Sequence, residues 1–257
     1  MFTPLAFNQE SIVSRGLILH LDASDRTSYV PGGNIWRDLS GVRGNSTLTN
    51  GPSFNSIKGG SIVFDGTNDY VALFGNSFGY SPGTTGELSL EVWINPTGPF
   101  TAYTAEPPIT NLSGIFGQSF FNNSIGWGLG VQVISGVGNC FVFQVRNSSN
   151  LVNIGTTSAS GYSTFTTNQW YHLIGTFTRN NLSRLYVNGI LTSSTSSVPL
   201  NGVNITPSLS DAAISRAGGS GQFYTGCEIS VSRLYNYPLT SQEITQNYNA
   251  LKSRFNL

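Results

Sequence analysis

An all-β fold built as a two-sheet antiparallel sandwich or jelly roll is what this sequence predicts, and three observations predict it. Only 9% of the 257 residues are charged, against about 25% in an ordinary globular domain, too few to cover the solvent faces of many helices. Apolar residues recur at every second position along most of the chain, the period of a half-buried strand. Thirty glycines and eleven prolines supply turns between those stretches without intervening helical patterns.

The alternation is clearest in Leu88, Leu90, Val92 and Ile94, and in Trp127, Leu129, Val131 and Val133 with Gly128, Gly130 and Gln132 between them. Phe141, Phe143 and Val145 repeat it, as does the stretch from Trp170 to Phe177. Each predicts a strand with one buried face. Between Leu185 and Leu191 the pair Asn188-Gly189 suits the two positive-φ positions of a type I′ turn, so a hairpin is predicted there. The C-terminus alone reads as helix, over 240–255: Thr240 and Glu243 form a capping-box pair, and Ile244, Tyr248, Leu251 and Phe255 follow at helical spacing.

The length suits one large β domain, predicted over 16–257, preceded by an extended arm at 1–15. Thr97 to Ser124 is rich in Pro, Phe, Asn and Gly and is predicted as a long loop or insertion. Its aromatics Phe100, Tyr103, Phe120 and Phe121 are candidate ligand contacts, weighed against simple packing of the loop on its own sheet.

Formal net charge is zero and no Lys/Arg cluster stands out, which removes the electrostatic drive for nucleic-acid binding. No apolar run reaches the roughly 18 to 20 residues that span a bilayer. The opening MFTPLAFNQESIVSRG lacks the basic start and apolar stretch of a signal peptide, so synthesis and retention in a cytosol are expected. Cys140 and Cys227 stand far apart without CxxC spacing and are expected as buried small hydrophobes, bridged only if their strands meet.

In order along the chain come GLILHLDAS from Gly16, WRDLSG from Trp36, LTNGPSF from Leu48 and GGSIVFDGTNDYV ending at Val71. LSLEVWINP around Trp93, WYHL at Trp170, LYVNG at Leu185 and EISVSRLYNYPLTSQEI from Glu228 follow. Together they resemble the laminin-G-like, concanavalin A-like jelly-roll family, especially its bacterial and phage members, from Gly16 to Phe255. The resemblance implies two antiparallel sheets face to face, a role in binding glycans or proteins, and in many members a structural calcium ion. It does not name a ligand, because one fold hosts many functions.

Several constellations invite chemistry. Glu87, Ser89 and Glu91 share one strand face, as do the paired glutamates of glucanases on this fold, but Ser89 stands where those enzymes carry an aspartate; a solvated strand face is the expectation. Gly79-Tyr80-Ser81-Pro82-Gly83 fits the written nucleophile-elbow pattern, yet Pro82 has no N–H to give an oxyanion hole. His20 and His172 lie in alternating stretches and are expected as structural. No catalytic residue is assigned, and hydrolysis of glycosides is kept as the less favoured alternative.

Asp65, Asn68 and Asp69 gather hard oxygen donors in one turn, suited to calcium or to plain Asx-turn closure. The four tryptophans Trp36, Trp93, Trp127 and Trp170 are expected to pack inside or against loops. The leading expectation is a non-enzymatic virion surface protein of a bacteriophage, a capsid decoration or tail-associated subunit. Its partners would be other virion proteins or host-surface glycans, and a homo-oligomer, a trimer by preference, is expected. A free carbohydrate-binding module or cell-surface adhesin is the runner-up.

Overall fold

The computed structural model describes residues 11–73, 80–100, 112–118, 125–146, 151–154, 156–157, 161–179, 183–195, 203–207, 212–217 and 223–257. Its strands in chain order are β1 (Leu17–Asp22), β2 (Ile35–Trp36), β3 (Ser46–Thr49), β4 (Ser53–Asn55), β5 (Ser61–Asp65) and β6 (Tyr70–Ala72). Then come β7 (Leu88–Phe100), β8 (Leu112–Gln118), β9 (Gly126–Ile134), β10 (Gly138–Arg146), β11 (Leu151–Ile154), β12 (Thr156–Thr157) and β13 (Gly161–Tyr162). The remainder are β14 (Tyr171–Phe177), β15 (Ser183–Val187), β16 (Ile190–Thr195), β17 (Ala212–Ile214), β18 (Arg216–Ala217) and β19 (Phe223–Tyr235), followed by helix α1 (Ser241–Phe255).

Two antiparallel sheets form the sandwich. The first runs β16-β15-β14-β7-β19-β5-β4, with β1 and β18 also pairing β19; the second runs β11-β10-β9-β8-β17-β6-β3-β2. Between them Leu90, Val92 and Ile94 of β7 and Leu173 and Phe177 of β14 meet Leu129 and Val131 of β9 and Phe141 and Phe143 of β10 in one core. The sheets approach so closely that a Cβ on Gly175 would overlap the Phe143 ring, which fixes a glycine at that strand position. Trp36, Trp93 and Trp127 are fully buried. Cys140 and Cys227 are buried and unbridged, on β10 and β19, which belong to different sheets.

The predicted hairpin joins β15 to β16, with Val187 paired to Ile190 and positive φ at both Asn188 and Gly189. The helix begins as predicted: the Thr240 side chain accepts from the Glu243 N–H and the Glu243 carboxylate accepts from the Thr240 N–H. Its terminus is closed by Asn256 at φ 62, a left-handed cap that asparagine tolerates. No helix among the described residues is long and apolar enough to cross a membrane.

One expectation fails outright. Thr97 to Ser124 is not a single loop, because β7 continues to Phe100 and Leu112–Gln118 forms β8, a fully buried strand inside the second sheet. A register shift between Gly114 and Phe116 turns both Ile115 and Phe116 into the core, and this bulge breaks the period-2 pattern that would have marked the strand.

The outer face of the first sheet is sealed in part by α1 and by residues 11–15. Val13 packs with Ile174, Tyr186, Tyr235, Leu239 and Ile244. Its N–H donates to Asn247 Oδ1 at 2.8 Å, and Arg15 pairs with Glu243 at 2.9 Å. The end of the expected arm is therefore docked on the domain.

Candidate functional site

The strand bearing Glu87, Ser89 and Glu91 does not present a solvated face. Beyond Glu87 the alternate side chains point under α1, where Ser89 and Glu91 are fully buried. Ser89 Oγ donates to the Tyr237 carbonyl and accepts from the Leu239 N–H, at 2.9 and 2.8 Å. Glu87 Oε1 accepts from the Arg179 N–H at 3.0 Å. The expectation of a water-facing strand is corrected by the helix that covers it.

Glu91 is instead the hub of a buried polar cluster. Its Oε1 meets Arg233 Nη1 at 2.6 Å and His172 Nε2 at 3.1 Å. Its Oε2 accepts from Asn247 Nδ2 at 2.7 Å and Tyr235 OH at 3.3 Å. Burial would raise the Glu91 pKa, but the Arg233 charge and the His172 hydrogen bond outweigh it and hold the carboxyl below its ordinary value. The Tyr235 hydroxyl is pushed well up, by burial first and then by the Glu91 charge. An ionised carboxylate engaged by four side chains and shut from water is an anchor, not an acid with a proton to give. His172 belongs to this anchor, and its ring packs against both Trp93 and Tyr248 at centroid distances of 4.6 and 5.7 Å, those two rings themselves stacking at 6.0 Å, so its structural reading holds.

The turn after β5 is closed on itself. Asp65 Oδ1 accepts the N–H groups of Thr67, Asn68 and Asp69 at 2.8, 3.1 and 3.3 Å, and Asp69 Oδ2 accepts the Asp65 N–H at 3.2 Å. Burial acts to raise the Asp65 pKa, yet these backbone donors win and lower it; Asp69 is raised by burial and by the neighbouring Asp65 charge. The Asn68 carbonyl is taken by Asn50 Nδ2 at 2.8 Å. Calcium wants six to eight oxygens, and no group of three or more Asp, Glu, His or Cys side chains assembles among the described residues. Asp65, Asn68 and Asp69 form a turn closed by its own hydrogen bonds.

Among the candidate ligand contacts, Phe100 is half-buried at the end of β7, packed on the core and edge-on to Phe165 at 5.9 Å. It is a packing residue, not a loop-borne surface ring. Tyr103, Phe120 and Phe121 lie outside the described residues. In the Gly79–Gly83 pattern, Gly79 lies outside them too, and the Ser81 hydroxyl bonds Thr206 Oγ1 at 3.1 Å rather than a histidine.

A different arrangement escaped the sequence. Where α1 ends, a row of cross-strand neighbours leaves the outer face of the first sheet partly open. Asn95 on β7 pairs with Glu228 on β19, Glu228 with Val63 on β5, and Val63 with Ser53 on β4. Trp170 immediately precedes Tyr171, the register partner of Ile94, and Asn95 immediately follows Ile94 on β7. Trp170, Asn95, Glu228 and Val63 are all half-buried and Ser53 is exposed. Glu228 Oε2 accepts from Ser61 Oγ at 2.7 Å and Asn55 Nδ2 at 2.9 Å, and its Oε1 from Asn95 Nδ2 at 3.3 Å. No sequence motif marks this cluster, since its members come from four strands whose pairing had to be known first.

The model of the concanavalin A-like lectin/glucanases superfamily matches residues 65–245. The chain belongs to this superfamily. Among solved structures, domain 4 of the arabinanase AbnA of Geobacillus stearothermophilus, in complex with arabinotriose, is similar at a TM-score of 0.59 and 17% identity, covering 90% of this chain and 98% of that one. The ligand-binding domain of botulinum neurotoxin serotype D, in complex with N-acetylneuraminic acid, matches at 0.60 and 17%, over 92% of this chain and 51% of that domain. Trypanosoma rangeli sialidase matches at 0.57 and 14%, over 96% of this chain and 33% of the enzyme. At such identities the likeness is one of fold. No curated protein sequence matches. Membership in the superfamily explains the two-sheet frame and leaves the choice between binding and hydrolysis to the site.

Proposed function

We propose that this protein is a non-enzymatic lectin-like carbohydrate-binding protein. The observation that carries the reading is the state of Glu91, the carboxylate that a glucanase of this superfamily would need at work. It is buried and held by Arg233, His172, Tyr235 and Asn247. Paired-carboxylate hydrolysis of a glycosidic bond needs two accessible carboxyl groups with separated roles, and of Glu87 and Glu91 only Glu87 is accessible. Carbohydrate binding is supported by the company of the fold, since two similar structures are complexes with arabinotriose and N-acetylneuraminic acid.

The setting we propose is the surface of a bacteriophage particle, as a capsid decoration or tail-associated subunit meeting host-surface glycans. A surface with few charges and zero net charge meets its partners through hydrogen bonds and apolar contact. The docked segment 11–15 offers an attachment element beside α1, and assembly as a homotrimer completes this reading.

The test is a panel of bacterial and algal polysaccharides, assayed for both binding and cleavage. Binding without release of reducing ends supports the proposal, and cleavage that follows the purified chain overturns it. Detection of the chain in purified particles separates the virion setting from that of a free binding module.

A further inference from the structure

We propose that the row Trp170–Asn95–Glu228–Val63–Ser53 is a binding groove for neutral oligosaccharides, in which Glu228 accepts ligand hydroxyls and Trp170 flanks the chain of sugars. This rests on the carbohydrate-binding reading above and names the surface and ligand charge that go with it.

The row crosses four adjacent strands, β7, β19, β5 and β4, and reaches Trp170 at the residue that leads into β14. Four interstrand spacings make about 19 Å, the reach of an oligosaccharide rather than of one sugar. Its neighbours toward α1 are sealed: Trp93 and Val231 are fully buried, and Phe255 stacks on Trp93 at 4.5 Å. The opening therefore begins where the helix stops.

Glu228 is unusual in its company. A carboxylate has about four acceptor sites, and here three are filled by neutral donors, Ser61, Asn55 and Asn95. These fix its orientation without neutralising it. Among the described residues no Lys, Arg or His nitrogen makes an ion pair with it. A rigid, half-buried carboxylate without an ion-pair partner forms strong charge-assisted hydrogen bonds with hydroxyls and repels uronate and sialate groups.

Asn95 carries a second signal. Its Nδ2 donates to Glu228, while its Oδ1 is buried with no hydrogen-bond partner among the described residues. A buried acceptor without a donor is rare in folded proteins, and a small turn of this carboxamide would offer Oδ1 to a ligand hydroxyl. Beside it Trp170, held by Phe255 at 4.6 Å, contributes a flat apolar body with a polar edge. The alternative in which these residues merely lock the β4–β5 hairpin accounts for Asn55 and Ser61, but not for the orphan Asn95 oxygen or the half-open indole.

The experiment is calorimetric titration of the full chain with neutral oligosaccharides of glucose, mannose and arabinose, and with sialyllactose and oligogalacturonate as acidic probes. Acrylamide quenching of tryptophan fluorescence runs in parallel. Trp36, Trp93 and Trp127 are fully buried, so protection from quenching by bound sugar reports on Trp170. We expect a neutral probe to bind at least tenfold tighter than either acidic one. Glu228→Gln, nearly isosteric, should weaken neutral binding about tenfold and narrow that preference, and Trp170→Phe should abolish ligand-dependent protection. Unchanged melting temperatures serve as the folding control, and if Glu228→Gln fails that control the quenching measurement on the native chain decides. Glycan binding unaffected by these variants, or confined to acidic probes, overturns the groove and leaves the lectin reading standing. Absence of binding to every glycan overturns both.

Discussion

Glu91 and Arg233 form an ion pair 2.6 Å long between side chains that are both withdrawn from water. The pair sits on adjacent strands, since Glu91 and Arg233 are register partners of β7 and β19, and it is covered by the helix that Asn247 brings down onto Glu91 Oε2 at 2.7 Å. One carboxylate thus ties together two central strands, β14 through His172, and α1.

Replacing Glu91 with Gln keeps the shape and removes the charge, leaving Arg233 buried without its counter-ion. Breaking one side of such a pair costs about 3–5 kcal/mol. Denaturant unfolding of E91Q should show a loss of that order, with glycan binding per folded molecule unchanged. A loss under about 1 kcal/mol would mean that Arg233 reaches water or another partner in solution.

Acid should weaken the fold in two stages. His20 is held down to about 4, by burial first and then by the Arg233 charge, against the opposing pull of Asp22, Glu91 and Asp38. Between the ordinary value near 6.5 and about 4 the unfolded chain binds a proton that the folded chain refuses. Stability therefore falls as pH drops through that window, by up to about 3 kcal/mol, and this loss levels off below it. Glu91 and Glu243 have lowered folded pKa values, Glu243 at about 2, so their contribution is present above the ordinary carboxyl range and is lost as pH falls toward 2. Melting curves of His20→Asn should lack the decline between 6.5 and 4 and keep the later one. An unchanged pH profile in that variant would assign the first stage to another group.

How far the sequence spoke depends on whether a signal was local. Leu88, Leu90, Val92 and Ile94, the Asn188-Gly189 turn and the Thr240–Glu243 box each lie within a few residues, and strand, hairpin and helix follow from them. Strand β8 was silent because its bulge puts Ile115 and Phe116 on the same side, and Gly114 and Gly117 interrupt what alternation remains. The face carrying Glu91 was misjudged because strand period says which side chains share a face, not what covers it. Asn247, a polar residue in the buried stripe of α1, was the available hint that something polar lay beneath. Glu228 and Asn95 are 133 positions apart and become neighbours only through the β7–β19 register.

The docked segment gives a test of what precedes Gly16. Val13 is buried, its N–H is held by Asn247 and its carbonyl lies 3.3 Å from the Tyr235 hydroxyl, whose one proton it shares with Glu91 Oε2, while Ser11 O accepts from Gln246 at 2.6 Å. Deleting residues 1–15 should strip these contacts and the Arg15–Glu243 pair, and should lower the melting temperature by several degrees. The single change Val13→Ala removes mainly buried methyl groups and should cost about 1–2 kcal/mol. A truncated chain as stable as the whole would show that residues 11–15 add nothing to the stability of the fold.

The Asp65 turn separates a metal site from a self-closed one. Three backbone N–H groups converge on Asp65 Oδ1, so the carboxylate closes the turn through its own backbone. Asp65→Ala should cost about 1 kcal/mol, the net worth of hydrogen bonds on an exposed turn, and should do so equally in calcium and in EDTA. Wild-type melting temperature should likewise be the same in both. A rise of several degrees with calcium, abolished by Asp65→Ala, would instead place an ion on this turn.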